Sequence, residues 1–391
     1  MKPVKITEGV YSLRVNHFNR RLFDSLIPLP EGTSYNAYLV KGTEKTALLD
    51  SADPEKAEIL FNYLKDEKKI DYIVSHHAEQ DHSGSIPLVL ARYPEALVVT
   101  NPKCKEFLMS HLHLPAEKFI EVKDGETLQL GGKTLEFIYT PWVHWPETMC
   151  TYLREEKCLF SCDFFGSHLA VSELFSEEHM VYGPMKRYYA EIMMPFRSNI
   201  KGHLEKLAKY DISFIMPSHG PVHKNVKFIL DIYKDWAVSA PGNKAVVAYI
   251  SMHGSTYVLV NRLVSRLQEA GVAVEKLNLD HFDEGRVAMA LVDAATIVIG
   301  TPTVLTGPHP RVMYAACLAN LLRPKAKFVS VIGSFGWGGR AVETIAGLTP
   351  NLKAEVLSPV LVKGLPAAAD LARIDALAAL IVEKHKALPA A

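Results

Sequence analysis

The stretch HAEQDH at residues 77–82 holds four side chains of metal-ligand type, His77, Glu79, Asp81 and His82, within six positions. A β-branched run, DYIVS, precedes it, so the cluster falls on a strand-to-helix turn, where irregular backbone aims neighbouring side chains at one point. A hydrated surface loop, a buried hydrogen-bond cluster and a metal site are the three candidate readings. Further ligand-type residues follow at the ends of other apolar strands: His144 in TPWVHWPET, Asp163 in LFSCDFFGS and His219 in MPSHGP. Burying two nearby carboxylates and several imidazoles without compensation costs several kcal/mol, so the set as a whole calls for a cation or full solvation, and the metal reading is preferred.

Other histidines fit this pattern less well. His76 lies outside the spacing and is expected to support a ligand or face solvent. His111, His113, His168 and His223 match no ligand position, although His168 in DFFGSHLA is close enough in sequence to orient the site. Tyr188 and Tyr189 read as core packing more readily than as phenols at a substrate pocket.

The elements that must carry these groups are short apolar strands ending in polar turns: KTALLDSAD, DYIVSHH, ALVVTNP, LEFIYTP, CLFSCD and SFIMPSH. Helical stretches intervene, such as Pro54 to Lys65, where Ala57, Leu60, Phe61 and Leu64 share one face. A chain of 391 residues exceeds one ordinary core, and SAPGN at 239–243 reads as the linker between domains at 1–240 and 244–391. Beyond it, fully apolar strands (AVVAYIS, ATIVIG, KFVSVIG, AEVLSPV) alternate with helices, as in a doubly wound parallel α/β sheet.

Charge excludes some partners. Lys and Arg total 43 and Asp and Glu total 43, mixed along the chain, which leaves no footprint for nucleic acid or an anionic membrane. No apolar run is long enough to span a bilayer, and the N-terminus has no signal-like core, so a cytoplasmic protein is expected. The five cysteines, Cys104, Cys150, Cys158, Cys162 and Cys317, form no C-x-x-C pair and read as reduced thiols.

In the second half, AVVAYI runs into SMHGST at 251–256 and then a helix. Free N–H groups and the dipole of a helix start favour a phosphate there. The loop lacks the lysine of a nucleotide-hydrolysing P-loop, which suits a terminal phosphomonoester held without Mg²⁺. GTPTVLTGPHP at 300–310 and GSFGWGG at 333–339 follow later strands, so all three loops belong to the carboxyl edge where such sheets bind ligands.

H-x-E-x-D-H with distant His, Asp and His resembles the metallo-β-lactamase superfamily, whose hydrolases usually have H-x-H-x-D-H and bind zinc. Glu79 in place of the second histidine resembles one branch, the flavodiiron proteins or A-type flavoproteins, and a further carboxylate suits iron better than a zinc-hydroxide site. The resemblance implies an N-terminal αββα sandwich followed by a flavodoxin-like sheet. It also implies two irons, one on His77, Glu79 and His144, the other on Asp81, His82 and His219, bridged by Asp163. SMHGST, GTPT and GSFGWGG resemble flavodoxin FMN loops. Ser251, His253, Gly254, Ser255 and Thr256 would meet the phosphate. Thr301, Pro302, Thr303, Ser334, Phe335, Gly336, Trp337 and Gly338 would surround the isoalloxazine, with Trp337 stacked on the ring or against its edge.

The implied activity is reduction of O₂ to water, of NO to N₂O, or of both. The implied assembly is a head-to-tail homodimer, or a dimer of dimers, in which each FMN faces the partner's irons. The chain ends without a rubredoxin-type C-x-x-C pair, so a separate donor such as rubredoxin is expected. The alternative from another class is a metallo-β-lactamase-type hydrolase with a regulatory flavodoxin module, and Glu79 discriminates the two. A third reading, an electron carrier with a degenerate metal site, conflicts with the complete ligand set.

Overall fold

The computed structural model describes residues 1–389, which form two compact units: 1–189 with 196–234, and 190–195 with 235 onward. In the first unit the strands are β1 (Val4–Thr7), β2 (Val10–His17), a small hairpin β3 (Leu22–Phe23) and β4 (Ile27–Pro28), β5 (Thr33–Lys41), β6 (Thr46–Leu49), β7 (Tyr72–Val74), β8 (Leu97–Thr100) and β9 (Phe119–Glu121). They continue with β10 (Thr127–Gln129), β11 (Thr134–Tyr139), β12 (Met149–Leu153), β13 (Cys158–Cys162) and β14 (Phe214–Pro217). One sheet runs β1-β2-β5-β6-β7-β8-β9, antiparallel up to β6 and parallel from there. The other runs β10-β11-β12-β13-β14, antiparallel except for the last pair.

Period-2 alternation explains the sandwich. On β5, Tyr38 and Val40 point to a core shared with Leu135, Phe137, Met149 and Phe160 of the facing sheet. The intervening Ala37 and Leu39 point to the opposite layer, where Leu60, Ile86, Val89 and Leu108 of the helices pack. The helix over Ala57–Tyr63 follows a single 3₁₀ turn at Pro54–Lys56, capped by Asp53. This is the αββα arrangement, and the parallel connections leave the carboxyl ends of β7, β13 and β14 free to carry loops.

The second unit is a parallel sheet of order β16-β15-β17-β19-β20, built from β15 (Gly242–Tyr249), β16 (Ala273–Asn278), β17 (Ala294–Val304), β19 (Phe328–Phe335) and β20 (Glu355–Val356); β18 (Gly307–Pro308) pairs with β17, and β21 (Val360–Lys363) pairs with β19. Leu259, Leu263 and Leu267 of the helix Ser255–Glu269 cover Ala245, Val247 and Tyr249. AEVLSPV is two short strands rather than one. Val356 still pairs with Val329, but Pro359 has no N–H to continue the ladder, and pairing resumes only at Val360 opposite Ile332. Among the described residues no helix is long and apolar enough to cross a membrane.

Candidate functional site

The turn after β7 places His77, with Glu79 at the start of the short helix Gln80–Ser83 and Asp81 and His82 within it. His144 comes from the β11–β12 loop, Asp163 from just beyond β13 and His219 from just beyond β14. All seven converge in two groups, His77, Glu79 and His144 on one side, Asp81, His82 and His219 on the other, with Asp163 between them. Asp163 Oδ2 lies 3.2 Å from His144 Nε2 and 3.6 Å from His77 Nε2. Its Oδ1 lies 2.9 Å from His82 Nε2 and 3.3 Å from His219 Nε2. Glu79 Oε2 completes the first group at 3.2 Å from His77 and 3.1 Å from His144, and Asp81 completes the second at 3.3 Å from His82 and 3.2 Å from His219.

Close backbone approach makes this convergence possible. Gly220, after His219, has φ +82°, and a Cβ there would lie 2.2 Å from Ser167 Oγ, so only glycine lets the His219 loop close on the segment after Asp163.

The cluster fits metal better than protons. Both oxygens of Asp81 and of Asp163 and both ring nitrogens of His82 are enclosed without a hydrogen-bond partner, a costly state for groups left unbound. Burial alone would lower the pKa of His144 and His219. Asp163 with Glu79, and Asp163 with Asp81, override it and hold them at about 9 and about 10. Burial would likewise raise Asp163, but His82, His144 and His219 hold it well below the usual carboxylate range. Imidazoles that attract protons this strongly are sites for a cation, and three carboxylates with four imidazoles form the hard oxygen and nitrogen set that suits iron.

Partners beyond the ligands orient the rings. His77 Nδ1 donates to Glu147 Oε1 at 2.7 Å, and His219 Nδ1 donates to the Ser34 carbonyl at 2.7 Å, so each ring offers Nε2 to the cluster. Glu147 and Ser34 carried no motif that marked them in advance. His76 neither joins the cluster nor faces solvent: its Nδ1 meets Asp50 Oδ2 and its Nε2 meets Thr151 Oγ1, both at 2.7 Å. His168 bonds Thr33 Oγ1 at 2.9 Å and stands 5.0 Å from the His219 ring, and burial followed by His219 pushes its pKa well down. Tyr188 is buried 5.8 Å from the His219 ring, and Tyr189 is buried as well. His223 is enclosed, while His111 and His113 lie at the surface.

In the second unit the three loops surround a cleft of about 280 Å³. Ser251, His253, Ser255 and Thr256 line it from the first loop, Pro302 and Thr303 from the second, and Ser334, Phe335, Gly336 and Trp337 from the third. Thr256 Oγ1 and Ser334 Oγ meet at 3.1 Å across it, and Ser251 Oγ accepts from the Tyr257 N–H at 3.1 Å. Gly254, with φ +89°, starts the helix, and Gly338 has φ +127°. Thr301 turns inward instead: its hydroxyl accepts from the His309 N–H and donates to the Pro302 carbonyl, bracing the loop. Trp337 is 89% exposed, an uncovered ring at the rim. Met252 and Gly364 also line the cleft, unmarked by any motif. Hydroxyls and backbone N–H groups at a helix start, beside an aromatic rim, suit a phosphorylated flavin.

Residues 33–220 match the family model of the ODP family beta lactamases, and residues 247–374 match that of the flavodoxins. The chain is 32% identical to the rubredoxin-oxygen oxidoreductase of Megalodesulfovibrio gigas, covering 100% of both chains. It is 33% identical to the nitric oxide reductase of Moorella thermoacetica over 91% of this chain and 92% of that one. The solved flavodiiron protein of Giardia intestinalis superposes with a TM-score of 0.91 at 27% identity, covering 98% of each chain. A β-lactamase-like domain that gathers seven candidate metal ligands, a flavodoxin domain with three cleft-lining loops and full-length relatives of this kind lead to one conclusion: the chain belongs to the flavodiiron proteins, the A-type flavoproteins, which are oxidoreductases.

Proposed function

We propose that the protein reduces O₂ to water, NO to N₂O, or both, at a non-haem di-iron centre supplied with electrons by FMN. The observation that carries this reading is the two-sided placement of Asp163 between two sets of ligand atoms, with Glu79 adding a carboxylate to the first. His77, Glu79 and His144 would hold one iron, Asp81, His82 and His219 the other, and Asp163 would bridge them. Iron supplies one-electron steps and open positions for a diatomic gas, and FMN supplies electrons singly from a two-electron store.

The chain's own residues set the conditions for that chemistry. Glu147 and Ser34 fix the tautomers of His77 and His219, and Asp163 offers one oxygen to each ligand group. Phe23, 5.2 Å from His168 and 6.3 Å from His219, closes the second side against bulk water. Ser251, Ser255 and Thr256 would receive the flavin phosphate, with Gly254 giving the turn its left-handed backbone. Ser334, Phe335, Gly336, Trp337 and Gly338, with Pro302 and Thr303, would border the isoalloxazine, while Thr301 braces its loop.

The functional limits are 1–240 and 244–391, supported by family matches that end at 220 and begin at 247. We further propose a head-to-tail homodimer. Exposed apolar residues line the FMN cleft (Met252 and Trp337) or follow lining residues in its loops (Leu305 after Thr303, Leu365 after Gly364), and others, Phe18, Leu22 and Leu26, occupy the β2–β4 region of the first unit. A second copy would cover both patches. The electron donor is a separate small redox protein of the rubredoxin kind, supported by the name of the relative from Megalodesulfovibrio gigas. Operation in the cytoplasm is supported by five free cysteines, four of them buried.

The test is anaerobic purification, assay of iron and FMN per chain, and measurement of O₂ and NO consumption with a reduced donor. Two irons and one flavin per chain with rapid gas uptake is the expected result. Zinc with hydrolytic turnover indifferent to flavin reduction would overturn the reading.

A further inference from the structure

One indole connects the metal cluster to the protein surface. Trp145 packs edge to face on His77, with centroids 4.9 Å apart at 86°, and lies 6.2 Å from the His144 ring. On its other side stand Phe107 at 6.3 Å and His111 at 6.2 Å, both from the helix Pro102–Leu112 and stacked on each other at 5.9 Å. His111 is exposed, and Phe107 and Trp145 are half-buried. Among the described residues the indole N–H has no acceptor and is not one of the enclosed orphan atoms, on a residue that is itself partly exposed. The bonds that fix this loop go to the Trp145 carbonyl, from Trp142 N–H and the Thr148 hydroxyl, and leave the ring free of them.

Packing alone would be served by phenylalanine. What an indole adds is the ability to give up an electron and its N–H proton, which is useful only where a strong oxidant lies on one side and water on the other. Tyr188, Tyr35 and Cys162, oxidisable side chains near the second ligand group, are enclosed and have no such outlet.

We propose that Trp145 is an escape route for oxidising equivalents. The inference rests on the O₂-reducing reading. Conversion of O₂ to two waters takes four electrons and four protons; two reduced irons and a reduced flavin supply the electrons, and with an oxidised flavin two are missing. Trp145 then passes one electron toward the irons through His77 and releases its indole proton to water, becoming a neutral tryptophan radical. A one-electron donor at the surface beside His111, of the thiol or enediol class, reduces that radical, and water returns the proton. Two passages make up the deficit, and each oxidises the donor by one electron.

The test uses holoprotein charged with two electrons per chain, mixed with excess O₂ and freeze-quenched for electron paramagnetic resonance. The wild type is expected to show a tryptophan radical whose hyperfine pattern changes with indole-deuterated tryptophan, and Trp145→Phe is expected to lack it. Over repeated cycles Trp145→Phe should accumulate oxidised side chains around the cluster several-fold faster by mass spectrometry. Ascorbate should protect the wild type and not the variant. Trp145→Tyr should restore protection with a tyrosine radical, a rescue that lost packing would not produce. An unchanged radical in Trp145→Phe, no radical in a wild type that consumes O₂, or equal oxidation in both proteins would overturn this proposal alone. Failure of the fully reduced wild type to consume O₂ would overturn it together with the proposed function.

Discussion

His77 and Glu147 meet in a 2.7 Å hydrogen bond in which neither side chain keeps any exposed surface. Glu147 Oε1 also accepts from the Ala78 N–H at 3.1 Å, so one carboxylate holds both the ring and the turn that carries it. Glu147→Gln keeps the shape and loses the charge that makes His77 a strong ligand. Iron affinity on that side should fall ~10–100-fold, read by chelator competition with iron counted per chain.

Asp163 faces the two ligand groups with different oxygens. In Asp163→Asn one of those oxygens becomes an N–H₂ group, which repels a cation. Iron content should drop toward one per chain, and Mössbauer spectra should lose the signature of a coupled pair, a larger effect than the ~10–100-fold expected of an outer partner.

A Cβ on Gly339 would come 2.6 Å from Thr303 Cγ2, so the third flavin loop can approach the second only because that position has no side chain. Gly339→Ala must turn Thr303 into the cleft or push the loops apart. Overpacking of this kind costs ~1–3 kcal/mol, or about 5- to 150-fold in Kd for FMN. Fluorescence titration of the flavin-free protein measures it.

His223 is enclosed, with Nδ1 at 2.8 Å from Ser176 Oγ and Nε2 donating to the Phe165 carbonyl at 3.0 Å. Burial pushes its pKa down to about 4, against ~6.5 in the unfolded chain. Above ~6.5 the ring is neutral in both states. As pH falls below that, the unfolded chain takes the proton first, so stability drops until about pH 4 and then levels, by at most ~3 kcal/mol. Denaturant midpoints followed over that range should fall more steeply for the wild type than for His223→Gln.

Much of the candidate site could be read from the chain because the residues that converge there mark themselves twice, by residue type and by position at the end of an apolar strand. HAEQDH needs one turn to converge, and His144, Asp163 and His219 follow β11, β13 and β14, whose carboxyl ends lie on one edge because two antiparallel pairings restore the direction of β11 in β13 and the β13–β14 pair is parallel. Partners such as Glu147, 70 residues from His77, and Ser34, 185 from His219, depend on which strands lie side by side, and no local pattern encodes that. The stretch PTVLTG reads as a loop but contains the β17–β18 hairpin, with Leu305 at φ +51° and Thr306 at φ +64°. Those residue types disfavour such backbone, so the tertiary setting overrides local preference there.

The seven candidate ligands come from both layers of the sandwich: His77 to His82 leave β7 of one sheet, while His144, Asp163 and His219 leave the other. Loading the centre therefore rivets the two halves of the fold, and its binding energy becomes part of what keeps the chain away from proteases. When iron is scarce the chain forgoes that contribution and should be cleared sooner, so the supply of the metal would bear on how much of this protein persists after translation.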